Sequence, residues 1–176
     1  MPRKVDLSPH YHIQGNPSAR IILVEYGDFE CPHCGHAYWA LKDLQEQYGE
    51  DLCLVYRHFP LTQIHPMAEP AAEASEFAAQ QGRFWEMHDA IYENQQRLSP
   101  QMLLEISEGL ALDREGLRNA LEEHRFSARV REEFLTGVRL GVNGTPTFFL
   151  NGARFDGSVE DFPAVFDEVL RSGRAA

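Results

Sequence analysis

Hydrophobic and polar positions follow two different periods along this chain. Ile21-Ile22-Leu23-Val24 is a β-branched, apolar run that continues into Glu25-Tyr26 and predicts a buried strand over 21–26. Gly15-Asn16-Pro17-Ser18 forms a turn ahead of it, and a short strand over 10–14 precedes that turn. Over 32–48 the period lengthens to that of a helix. Cys34, Tyr38, Leu41, Leu44 or Gln45, and Tyr48 fall on one side, and Gly49 stops the element. The segment 52–59 returns to alternation, with Leu52, Leu54 and Tyr56 set against Cys53, Val55 and Arg57, and Pro60 closes it.

From about 65 to 140 the pattern is helical throughout. Helices are predicted over 70–81, ending before Gly82, and over 83–96, where Phe84, Met87, His88 and Ile91 share a face. Ser99-Pro100 starts another as N-cap and first helical residue, Asp113 caps the next, and 126–140 forms the last of the block. Strand character returns at 147–150, Asn151-Gly152 makes a hairpin turn, and 153–155 pairs back. Ser158 then opens a final helix whose inward face is Phe162, Val165, Phe166 and Val169. The order is βαβ, a helical block, then ββα. The first unit requires parallel strands joined by a crossover, and the hairpin is antiparallel, so the sheet is mixed. The reading is α/β: a mixed sheet flanked by helices, within a single domain over 1–176. Its core spans about 10–64 and 141–171, and a helical subdomain inserted over about 65–140 packs as a cap.

Composition narrows the function classes. A chain of 176 residues that is 43% hydrophobic and 24% charged can bury a full core, so disorder is excluded. The net charge of −11 argues against nucleic acid or an anionic membrane as partner, and no apolar run is long enough for membrane insertion. After Met1-Pro2-Arg3-Lys4 no apolar leader segment follows. A cytoplasmic protein is therefore expected, or a periplasmic or exported one if a leader has been trimmed. Three cysteines are too few for a disulfide scaffold, and two of them form a Cys-x-x-Cys.

That pair, in Phe29-Glu30-Cys31-Pro32-His33-Cys34, falls where the first long strand ends and its helix begins. Cys31 lies at the helix N-terminus, where unpaired N–H groups and the macrodipole favour a thiolate. Pro32 suits the first turn because its missing N–H forms no helical bond. Cys34 lies nearly a turn further in and is the more buried thiol. Cys31 is thus expected to attack and Cys34 to resolve the mixed disulfide. His33 is the expected tuning residue, since a cation or donor beside the thiolate stabilises the reduced protein. Phe29 and Tyr38 are placed to form an apolar rim around the pair.

Cys-Pro-His-Cys after a strand, the helical insertion, and Gly144-Thr145-Pro146-Thr147 near the end resemble the thioredoxin superfamily. The DsbA-like thiol–disulfide oxidoreductases are the most similar branch, and the resemblance spans roughly 21–170. It implies a thioredoxin-like fold, protein or peptide thiols and disulfides as substrates, and an unidentified redox partner. The redox-active Cys31–Cys34 dithiol is the only cofactor it requires. It also implies a cis peptide at Thr145-Pro146, with the Thr145 backbone pairing an extended substrate segment. Glu25 matches the family's buried acid beneath the second cysteine, which would exchange a proton with Cys34. A strand-end carboxylate facing solvent is the other reading of Glu25. The Pro-His dipeptide favours a disulfide donor, whereas a cytoplasmic address, and a Thr in place of the prototype's Val before the proline, leave the direction open.

Two other function classes fit some of the same residues. Cys31, His33, Cys34 and His36 put four ligand types within six residues, as a zinc or copper module would. Such a site needs a second ligand pair, for which His10 and His12, or His58 and His65, are the candidates. A non-catalytic peptide-binding module would keep the fold and need neither thiol. Cys53, between Leu52 and Leu54, reads as a small core residue. His88 reads as a packed core histidine, and Trp39 and Trp85 as packing residues.

Overall fold

The computed structural model describes residues 11–172. His10 and the basic start of the chain lie outside these residues, as does the tail from Gly173. Five strands form one sheet: β1 (His12–Gly15), β2 (Ile21–Gly27), β3 (Leu52–His58), β4 (Thr147–Leu150) and β5 (Ala153–Phe155), in the order β1-β3-β2-β4-β5. β2 and β3 pair in parallel, with Glu25 opposite Tyr56, and the other three pairings are antiparallel. The central strands β2 and β3 are buried on both faces, which is why their sequences read as nearly continuous apolar runs. Asn151 and Gly152 close the β4–β5 hairpin with φ of 49° and 86°, the left-handed pair that a two-residue turn demands.

Among the described residues, seven α-helices accompany the sheet: α1 (Pro32–Tyr48), α2 (Ala68–Ala79), α3 (Phe84–Glu93), α4 (Pro100–Gly109), α5 (Arg114–Glu122), α6 (Ser127–Arg139) and α7 (Phe162–Ser172). α1 and α7 cover one face through Leu41, Leu44, Phe162 and Phe166, packed on Ile21, Leu23, Leu54 and Phe148. Ser99 accepts from the Met102 N–H and caps α4, while the side chain of Ser158 caps the turn that leads into α7.

Several expectations need correction. The helical block is not only a cap. α2 to α5 build a second apolar cluster around Phe77, Met87, Leu103 and Leu117, but α6 returns to the sheet. Its Phe134 stacks on Phe59 at 4.4 Å, and Gly137 packs on Phe59 and Tyr26. A glycine there lets the helix approach the second face of the sheet, around Val24, Cys53 and Val55. α3 stops at Glu93, and 95–97 is a 3-10 turn rather than more α-helix, because Gln95 turns inward to bind the loop before α1. Asp113 occupies the N-cap of α5 without a side-chain cap bond. Trp39 is not packed but 56% exposed, as the outward side of α1 leaves it beside Tyr38.

Candidate active site

Cys31 takes the N-cap of α1 in extended backbone, φ −70° and ψ 121°, and Pro32 follows in the first turn. The Cys31 carbonyl accepts from the Gly35 N–H at 3.1 Å, which starts the helix and carries Cys34 inward to full burial. The loop ahead of it is anchored from distant parts of the chain. The buried Asp28 carboxylate accepts from the N–H groups of Glu30 and Leu61 at 2.8 and 2.9 Å and pairs with His65 Nδ1 at 2.7 Å. The Gln95 amide donates to the carbonyls of Phe29 and Cys31 at 2.9 and 2.8 Å. A Cβ on residue 35 would stand 2.2 Å from Gln95 Oε1, so Gly35 is what admits that side chain. Asp28 and Gln95 carried no signal in the sequence, and His65 only that of a candidate metal ligand, since each acts on a partner far along the chain.

Across from the pair lies the Thr145-Pro146 loop, with the peptide bond cis. The Cys31 thiol donates to the Thr145 carbonyl at 3.4 Å. That contact holds the neutral thiol, whereas the Thr145 hydroxyl, buried with no other partner, favours the thiolate. The balance lies with the thiolate: Cys31 is lowered from 9.0 to about 5. The hydrogen bond from Cys34 contributes most, burial opposes it, and the Thr145 side chain and the N–H groups of Cys34 and His33 add to it. Cys34, a free thiol like Cys31, moves the other way, well above 9.0, through burial first and then its hydrogen bond to Cys31 and the Glu25 charge. Its sulfur accepts from the Asp28 N–H at 3.5 Å.

Glu25 is 2% exposed, on the sheet face that α1 covers, so the solvent-facing reading is wrong. Burial, and secondarily the Cys31 charge, raise its carboxyl from 4.5 to about 8. Its Oε1 has no hydrogen-bond partner among the described residues. Beside it Tyr56 and Tyr92 share a hydrogen bond of 2.9 Å between hydroxyls, and burial pushes both phenols up.

Other expected site residues fall differently. His33 has an exposed ring at the mouth, and its backbone N–H is what bears on the Cys31 thiolate. Phe29 and Tyr38 form the floor rather than a rim, being 1% and 3% exposed in a stack with Tyr56 and Tyr92. An open groove of ≈ 750 Å³ instead borders Pro32, with Glu30, His36, Trp39 and Glu93 on its walls. His36 points away from the thiols to Glu160, at 2.9 Å. Cys31, His33, Cys34 and His36 are therefore not gathered as ligands. Among the described residues, the group of three that could hold an ion is His12, His58 and Glu76. There both imidazoles meet Glu76 Oε1, at 2.6 and 2.9 Å. The sequence offered the two histidines without the glutamate. Cys53 is fully buried in the second-face cluster.

Known proteins share this fold. BdbD from Bacillus subtilis superposes with a TM-score of 0.83 at 19% identity, over 92% of this chain and 94% of its own. Wolbachia pipientis alpha-DsbA1 gives 0.79 at 20% identity, over 92% and 91%. A thioredoxin-like oxidoreductase from Silicibacter pomeroyi gives 0.76 at 28% identity, over 96% and 95%. The fold is thus that of the DsbA-type proteins. Among curated proteins, the Na(+)/H(+) antiporter NhaA 3 of Salinispora tropica is 42% identical over 165 residues, which is 93% of this chain but 25% of the antiporter. This chain spans about a quarter of the length of that relative, and among the described residues no helix is long and apolar enough to cross a membrane. The sequence model of the family described as Thioredoxin matches residues 7–168, nearly the whole chain, and the chain belongs to that family.

Proposed function

We propose that this chain is a thiol–disulfide oxidoreductase acting on protein or peptide substrates, with Cys31 attacking and Cys34 resolving. The observation that carries this reading is the opposed tuning of two thiols one helical turn apart, one lowered to about 5 and the other pushed above 9.0. At neutral pH the mouth then holds a nucleophile and the interior a protonated reserve.

In the reducing direction the Cys31 thiolate attacks a substrate disulfide, and one substrate sulfur leaves as thiolate. Cys34 gives up its proton, attacks the Cys31 sulfur and releases the second substrate thiolate. The pair is oxidised and the substrate reduced by two electrons. In the donating direction a substrate thiolate attacks Cys31 of the Cys31–Cys34 disulfide, and Cys34 leaves and takes a proton. A Cys31 thiolate stabilised this far favours the reduced protein, so donation is the favoured direction and an oxidising compartment the matching address. Glu25, carrying its proton up to about pH 8, is the group that exchanges it with Cys34. Pro32 starts the helix that aims Cys31, and the His33 ring adds to thiolate stabilisation from the solvent side. Thr145 and Pro146 offer backbone to an extended substrate, and the groove beside Pro32 and Trp39 receives its side chains.

The test is the Cys31–Cys34 reduction potential, by glutathione titration read through tryptophan fluorescence. A value well above the roughly −270 mV of thioredoxin supports donation, and one near it makes the protein a reductase. Two free thiols with no measurable exchange would sink the proposal. Cys31→Ser removes turnover in this reading and leaves activity untouched in a purely peptide-binding module.

A further inference from the structure

Two buried side chains near the thiols each keep an unpaired polar atom. Glu25 has Oε1, and His88 of α3, 4% exposed, has Nε2. Leaving either group unsatisfied in the interior costs free energy, so a pair of such atoms calls for an explanation. Both residues line one cavity of ≈ 10 Å³, about the room that a single ordered water needs. The same cavity is walled by Lys42 and Asp89, which reach the surface together. His88 Nδ1 lies 2.9 Å from Asp89 Oδ1, and Asp89 Oδ2 is hydrogen-bonded by Lys42. A carboxylate on Nδ1 holds the ring hydrogen there and leaves Nε2 as a bare acceptor.

We propose that this cavity is a proton port: a water held between Glu25 and His88 exchanges the buried carboxyl's proton with solvent through His88, Asp89 and Lys42. The inference rests on the oxidoreductase reading, in which Glu25 serves Cys34, and it adds the route by which Glu25 is recharged. When a substrate thiolate breaks the Cys31–Cys34 bond, the electron pair goes to the Cys34 sulfur and the Glu25 proton follows it. The resulting carboxylate regains a proton from the cavity water. His88, which the opposite step leaves with its hydrogen on Nε2, resupplies that water while Nδ1 takes a proton from solvent through Asp89, so the ring returns to the Nδ1–H form. In the reverse direction the port first carries the Glu25 proton out, through the cavity water to His88 Nε2 while Nδ1 gives its hydrogen to Asp89 and solvent. The carboxylate left behind then takes the proton of Cys34. His88 touches no reacting sulfur and is a positioning residue.

The electrostatic surroundings suit a neutral relay. Besides Asp89, the titratable groups around His88 are Lys42 and Tyr38 of α1, Tyr56 and His58 of β3, Tyr92 one turn along α3, and Glu25 of β2. Burial first, against the Asp89 contact, lowers His88 to about 4, so at neutral pH its ring is uncharged and able to accept. Aromatic rings crowd the imidazole, with the centroids of Tyr56 at 4.7 Å and Trp85 at 4.9 Å, and offer Nε2 no hydrogen-bond partner.

The test uses the full chain with His88→Phe, which keeps an aromatic ring and removes both nitrogens. Asp89→Asn, partly exposed, serves if the first variant folds poorly. Single-turnover reduction of the Cys31–Cys34 disulfide by dithiothreitol is followed by tryptophan fluorescence from pH 5 to 9. The expected result is about tenfold slowing near pH 7 for His88→Phe and a smaller slowing for Asp89→Asn, with the Cys31 thiolate titration unmoved. In a Glu25→Gln background neither change should slow the reaction further, because port and carboxyl act in series. Wild-type rates across the pH range, or full additivity with Glu25→Gln, would overturn the port. An independent readout is the Glu25 carboxyl titration by infrared difference spectroscopy, which requires no exchange activity. His88→Phe should raise it further by removing the bridging water, and an unmoved titration also overturns the port. A wild-type protein without exchange, but with this Glu25 response intact, refutes the oxidoreductase reading and leaves the port standing.

Discussion

Two buried glutamates, one on β2 and one on α2, meet opposite fates. Glu25 is raised to about 8 by burial, with one oxygen unpaired. Glu76 of α2 is also buried, which alone would raise it, yet it ends well below 4.5. Hydrogen bonds and charges from His12 and His58 outweigh the burial, and Arg129 stands 3.9 Å from its other oxygen. Burial sets the penalty for a charge, and partners decide whether the charge persists. Near the thiols the missing partner leaves a carboxyl able to trade its proton. Between α2 and the β1–β3 edge the full complement of partners leaves a fixed anion that ties three elements together. The first arrangement suits the proton exchange proposed for Glu25, and the second suits a structural anchor.

The largest effect should come from breaking the satisfied glutamate. Glu76→Ala strands two imidazoles at the β1–β3 edge, and is expected to destabilise the fold by about 3 kcal/mol in urea unfolding. A loss under about 1 kcal/mol would remove the stabilising role assigned to Glu76.

Glu25→Gln should act with the opposite sign. A carboxyl whose folded value is raised from 4.5 to about 8 costs stability once pH passes 4.5, and the cost is complete above 8. The variant should therefore gain roughly 3 kcal/mol on wild type between pH 4 and pH 9, in the reduced protein, while exchanging disulfides more slowly. Equal pH dependence in both proteins would mean that folding leaves the Glu25 carboxyl unshifted, and a gain for wild type would mean that it is ionised and paired.

Cys31 follows the sign of Glu76, as an acid lowered by partners. Its contribution to the reduced protein is fully present above pH 9 and is lost as pH falls through about 5. The thermal midpoint of the reduced form relative to the oxidised form should fall steadily from pH 9 to pH 5. A difference that is flat with pH contradicts the lowered thiol.

His33→Ala tests the smallest contribution, since the backbone N–H remains when the exposed ring is removed. The equilibrium constant with glutathione should shift by no more than about tenfold, or about 30 mV, toward a less oxidising pair. No movement in either the Cys31 titration or the potential would show that the ring plays no part.

What could be read before the fold was known lies within one or two turns of chain. Ser99-Pro100 and Asn151-Gly152 act on neighbours, and the hairpin over 147–155 and the start of α4 appeared where their residues placed them. The position of Cys31 at a helix start followed from the same local logic. Glu25 shows the limit. Its neighbours Val24 and Tyr26 marked a strand, but whether its carboxyl met water depended on α1 and α3 packing over it. Trp39 shows the same limit, because a helix sequence shows which residues share a face without always showing which face is covered.

By itself, the sequence determined the order of elements, the turn chemistry and the Cys-x-x-Cys at a strand-to-helix junction, all of which rest on interactions over a few residues. The tertiary structure alone decided the protonation of Glu25, the meeting of His12 and His58 at Glu76 across 64 and 18 residues of chain, and the cavity joining Glu25 to His88. Charge and hydration depend on everything within several ångströms, and in a folded chain most of that comes from residues far away in sequence.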